Sequence, residues 1–220
     1  MDGFADLIVI NNEWVTFVFL TILLLITIAK ISFNEGIIQT ASLFFSKKYL
    51  LINYTKERNN ILNVFQTLFF WVQILTISTG LYLLNNHFTW VQGYNDFYGF
   101  LWIIILVLSY FIIRFLVGYF IAFLFGFKSI HLKIMFEKIN YLNTVILWIL
   151  PFLIFSNYTE NYKELFLNIT AVLVLAFLVL RYLLLILNNK KLILSGFFYF
   201  ILYLCALEIA PLIILLKLTI

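Results

Sequence analysis

The chain has 220 residues, of which 65% are hydrophobic and 20% aromatic, while only 11% are charged, with a net charge of +4. That charged share is half or less of what a soluble domain carries, and too little polar surface remains to cover a core of this size. A soluble domain is excluded, a polytopic membrane protein is expected, and a small charge without an arginine-rich face or recognition module argues against nucleic acid as a partner.

The opening stretch, MDGFADLIVINNEW, is acidic and lacks Lys and Arg, so no cleavable signal peptide is expected. A helix needs about 20 apolar residues to cross the hydrocarbon layer. Runs at about 14–31, 60–84, 97–125, 138–156, 165–187 and 192–216 meet that requirement. Only short polar stretches separate them, without a Pro/Gly/Ser-rich linker. Residues 1–220 therefore read as a single integral membrane domain of the all-α class, a bundle of six transmembrane helices.

The first connection is long for so small a protein. Within 36-GIIQTASLFFSKKYLLI-52, Ile37, Ile38, Ala41, Phe44, Phe45 and Ile52 share one broad helical face, with Gln39, Ser42, Ser46 and Lys47 largely opposite. The pattern predicts an interfacial amphipathic helix on the cytoplasmic leaflet, with Lys47 and Lys48 as surface anchors toward anionic headgroups. Such a helix serves either as a plug at the base of the bundle or as a docking surface.

Orientation follows from Lys and Arg in the short loops. Lys47, Lys48, Lys56 and Arg58 fall in the first connection, none in 85–96, Lys128 and Lys133 in 126–137, only Lys163 in 157–164, and Lys190 and Lys191 in 188–191. The alternation predicts both termini outside the cytoplasm. Trp14, Trp90, Trp102 and Trp148 then fall toward the outer headgroup layer.

Three ionisable residues lie inside the expected spans: Arg114, Arg181 and Glu208. A charge at bilayer depth costs about 2.5–3.5 kcal/mol on insertion scales. Arg181 stands about 10 Å from the turn that follows its span, which makes it a membrane-surface anchor that snorkels. Arg114 heads a stripe of small residues, Gly118, Ala122 and Gly126, each four positions on, the spacing of a helix-packing seam. Glu208 lies within about 6 Å of the same depth, so an Arg114–Glu208 pair is expected. Pro211 frees the carbonyl of Leu207, and Ala206 and Ala210 keep that turn slim enough to pack. The group reads either as a buried ion pair that fixes which helices touch, or as an intramembrane polar site for a proton, ion or anion.

Catalytic signatures are missing. There is no Walker-type loop, H-E-x-x-H or G-x-S-x-G, His87 and His131 are expected on opposite sides, and the lone Cys205 reads as a packing residue. No enzyme activity, cofactor or metal site is expected.

The stretch 197-FFYFILYLCALEIAPLIILLK-217, with Tyr203, Cys205, Leu207, Glu208, Ile209 and Pro211 as its most specific part, and 110-YFIIRFLVGYFIAFLFG-126 together resemble a family. It is a family of small polytopic inner-membrane proteins of the Bacteroidota, catalogued as a domain of unknown function. The resemblance implies a multi-pass protein of a Gram-negative inner membrane and brings no activity, ligand or catalytic residue.

Two functions are open. The first is a non-catalytic inner-membrane subunit of a larger complex, with the lipid bilayer and other integral membrane proteins as partners and envelope protein export or assembly as its process. The alternative is a small transporter or channel using Arg114 and Glu208. Few polar residues read as facing the bundle interior, which favours the first.

Overall fold

The computed structural model describes residues 13–33, 36–44, 64–88, 97–124, 126, 128–159 and 162–188. The regular structure among them is all helical: α1 (Glu13–Ser32), α2 (Gly36–Ala41), α3 (Val64–Phe88), α4 (Phe97–Leu124), α5 (Lys128–Tyr158) and α6 (Lys163–Asn188). Among the described residues, five helices are long and apolar enough to cross a membrane, all but α2. The sixth expected span, 192–216, lies outside the described residues.

Aromatic pairs set the register of the long helices. The Trp14 and Tyr82 rings lie 4.9 Å apart, and Ala29 clusters with Phe65 and Phe69, so α1 and α3 run antiparallel. Tyr82 with Phe100 at 5.9 Å and Phe70 with Phe111 at 6.0 Å set α3 against α4 in the same way. Phe155 stacks on Phe166 at 5.9 Å, while Arg181 donates to the Lys138 carbonyl at 3.0 Å, which makes α5 and α6 antiparallel too. The bundle therefore alternates in direction along the chain. One end holds Lys30, Lys133 and Arg181 and is here called the basic end; the far end holds Trp14, Tyr82 and Tyr158.

The fourth long helix departs from expectation. It begins at Lys128, ten residues before the expected 138. Lys133 and Glu137, four positions apart, pair along the helix at 4.0 Å, so the charges that looked like loop are helix surface. Pro151 sits inside α5, which continues past it to Tyr158. A proline there removes one backbone donor, a loss that neighbouring groups make good inside a membrane bundle.

The expected interfacial helix takes a different form where it is described. Only Gly36–Ala41 is helical, followed by a turn over residues 42–44. Instead of lying flat on a surface, this segment climbs back into the bundle. Its Thr40 and Leu43 are fully buried, and Phe44 stacks on Tyr141 of α5 and Phe177 of α6. The climb starts where α2 touches α3: a Cβ on Gly36 would lie 3.0 Å from the Phe65 ring, so only glycine fits there without moving that ring. Lys47 and Lys48, the expected anchors, lie outside the described residues.

Of the tryptophans expected toward the outer side, Trp90 lies outside the described residues. Trp14 packs at the far end against Phe97 and Phe100, near Trp102 in the first turns of α4. Trp148 stands deeper and donates its indole N–H to the Ala41 carbonyl at 3.3 Å.

Candidate functional site

The interior of the bundle is more polar than the sequence reading held, and its polarity is concentrated. In α5, Glu137, Asn140 and Thr144 recur at i, i+3 and i+7, one helical face, with Asn143 beside them; all four are buried. Across from them, α3 contributes Gln73 and, one turn on, Thr76, both buried. The third wall is the re-entrant α2, through Thr40.

Hydrogen bonds join these three elements. Gln73 Nε2 donates to Asn143 Oδ1 and lies 3.4 Å from the Ile139 carbonyl. The Thr144 hydroxyl lies 2.7 Å from the Thr40 carbonyl and 3.1 Å from that of Asn140, so its single proton has two acceptors. Asn140 Nδ2 donates to the Phe136 carbonyl at 2.9 Å. Two groups in the seam have no protein partner: the Thr76 hydroxyl and Asn143 Nδ2. Their residues are 3% and 0% exposed. Thr144 lies midway along the candidate span His131–Tyr158, so the seam reaches the centre of the bundle.

Toward the basic end the seam meets charge. Glu137 is 6% exposed, an acid the sequence reading left in a loop. Arg181 is also 6% exposed; it binds the Lys138 carbonyl and lies 5.9 Å from the Tyr182 ring. It lies between α5 and α6, because antiparallel packing turns that face of α6 onto α5. The hydroxyl of Tyr141, one turn above Glu137, accepts from Asn188 Nδ2 at 2.8 Å.

Toward the far end apolar packing dominates, with Ser78, Thr79, Asn85, Ser156 and Thr170 buried among it. Val15, Phe19, Tyr82, Leu83, Ile149 and Leu153 belong to one buried apolar cluster, in which Leu153 comes within 3.7 Å of the Cβ position of Gly80.

The residues expected on α4 divide. Arg114 is half-buried; its Nη1 donates to the Tyr110 hydroxyl at 3.2 Å, with the guanidinium 5.9 Å from that ring. Gly118 and Ala122 are buried, as a packing seam requires. Gly126 is not part of it: it lies beyond the helix end in a left-handed turn with φ of 71°, its amide bonded to the Phe123 carbonyl, a glycine stop. Glu208, Pro211, Ala206 and Ala210 lie outside the described residues. Among the described residues no group of three or more His, Cys, Asp or Glu could hold a metal ion.

Nothing in the sequence reading singled out Gln73, Asn140, Asn143 or Thr144. The signal was present: the i, i+3, i+7 spacing from Glu137 to Thr144 continues a polar face into an apolar run, and it is visible only if the helix is started at Lys128.

A helical bundle with five candidate spans defines a multi-pass membrane protein. Residues 15–219 match the family described as a domain of unknown function (DUF4271), and the chain belongs to that family. No curated protein and no solved structure matches it.

Proposed function

We propose that the protein is a small transporter or channel of a bacterial inner membrane, with the seam between α2, α3 and α5 as its polar site. The observation that carries this reading is the buried amide and hydroxyl cluster at mid-span, walled by a re-entrant segment. Buried polar groups are costly in a membrane and concentrate along solute and ion pathways, and non-helical backbone at that depth is tolerated where it is buried in protein or lines a water-filled cavity. Interrupted helices near the midplane are also where secondary transporters bind their solutes. The Lys/Arg bias of the loops puts the basic end in the cytoplasm and, with a sixth span at 192–216, both termini in the periplasm. The Bacteroidota envelope is the setting that the family resemblance implies. An Arg114–Glu208 pair would add a second polar site on α4.

The test is reconstitution of the full chain in liposomes, with stopped-flow light scattering for water, glycerol and urea and a pH-sensitive dye for protons. Flux above that of empty liposomes, lost in Asn143→Leu, is the expected result. No flux of any of these in folded protein counts against transport.

One observation favours the other reading, a non-catalytic subunit of a larger membrane complex for envelope protein export or assembly. The bonds from Gln73 to Asn143 and from Thr144 to Thr40 tie three elements into a single body, which suits a static scaffold. A stoichiometric integral membrane partner after mild-detergent purification from the native host would favour the subunit.

A further inference from the structure

The seam has an unmet demand for hydrogen bonds. The Thr76 hydroxyl and Asn143 Nδ2 are both buried and both without a protein partner. Leaving such a group unbonded costs more than most side-chain bonds return. The two flank one bond: Gln73 joins Asn143 directly, and Thr76 stands one turn from Gln73, with about 5–6 Å between Cβ atoms at that spacing.

The walls there are uncharged, made of amides, hydroxyls and the carbonyl of Thr40. The charged groups, Glu137, Lys133 and Arg181, all lie on the basic-end side of Asn140. On the other side Val145, Ile149 and Leu153 close the interior with apolar packing. A hydroxyl and an amide both give and take hydrogen bonds, and so does the ligand that suits them, water or a small neutral solute of amide or hydroxyl type. A buried water needs two to four polar partners, a number that Thr76, Asn143 and Gln73 supply.

We infer that the α2–α3–α5 seam is a hydrated pocket, reached from the basic end, that takes water and small uncharged hydrogen-bonding solutes. The inference deepens the transport reading and rests on its seam, yet it states only what fills the seam and from which end.

Cysteine accessibility tests it in the full chain, in membrane vesicles of both orientations, on a Cys205→Ser background. Thr76→Cys replaces a hydroxyl that bonds no protein group, so it removes no bond. The probe is methyl methanethiosulfonate, small and uncharged, added outside vesicles whose trapped glutathione consumes reagent that crosses the bilayer, and read as protection from a later maleimide gel shift. Thr76→Cys should react from the basic-end side at least about tenfold faster than Leu153→Cys, because a dry surrounding raises a thiol's pKa and lowers its thiolate fraction. Reaction at the Leu153→Cys rate, or from the far end, overturns the inference. If Thr76→Cys fails to accumulate, Asn143→Cys reads the same pocket from α5 with the same two outcomes. Labelling without flux in liposomes removes transport and leaves the hydrated pocket standing; flux without labelling does the reverse.

Discussion

The two halves of this bundle are held together by different forces. At the far end Trp14, Tyr82 and Phe100 meet edge to face or tilted, above an apolar cluster that includes Phe19, Ile149 and Leu153. Lipid tails are as apolar as leucine, so such contacts hold helices by close packing and not by escape from water. At the basic end the helices are joined by directional bonds between amides, hydroxyls and carbonyls, and a guanidinium is seated on a backbone carbonyl. A polar group pulled loose there has no lipid partner to turn to. Close apolar packing dominates one half and hydrogen-bond matching the other.

That division breaks most visibly if a charge is moved into the apolar cluster of the far half. Leu153→Arg should destabilise the protein by about 2.5–3.5 kcal/mol, read as loss of folded, monodisperse protein in a detergent melting assay. Wild-type stability in that variant would mean that the far half is already wet.

Arg181→Leu comes next. Loss of a charged donor on the Lys138 carbonyl should cost about 1.5–3 kcal/mol in the same assay, whereas an arginine that only snorkelled would leave the melting point in place. The basic half can be probed more finely with Gln73→Leu and Asn143→Leu. Each alone should cost about 1 kcal/mol, because it strands its partner. The double change should cost less than the sum, with a coupling of about 0.6 kcal/mol, as for other intramembrane bonds; strict additivity would mean that the bond does not form.

The smallest effect belongs to Thr144→Val, about 0.5 kcal/mol. Its signature is local: faster hydrogen exchange over residues 36–44, with α3 unchanged. Equal loosening of both would show that α2 is not held through Thr144.

The long helices were legible wherever an apolar run stands alone. The expected 97–125 became Phe97–Leu124, and 14–31 became Glu13–Ser32, because hydrocarbon thickness alone fixes the length of a spanning helix. The start of α5 was not legible from hydropathy, since Lys133 and Glu137 lower it while pairing along the helix. The contact of Arg181 with the Lys138 carbonyl was not legible either. Distance along a helix tells how far a side chain must reach for water, but not which neighbour its face is turned toward. Gly126 kept four-residue spacing with Gly118 and Ala122, yet it ends the helix, and periodicity cannot distinguish a packing glycine from a stopping one.

By itself, then, the sequence determined that this protein lives in a membrane, that it is helical, and where most of its helices cross. Those properties follow from summed hydrophobicity over about 20 residues, a local quantity that no partner helix changes. Only the tertiary structure decided that the segment after α1 packs against α5 through Thr40 and Ala41, and that Gln73 faces Asn143. Such pairings join residues 70 to 107 positions apart. They depend on which faces the packing of whole helices brings together.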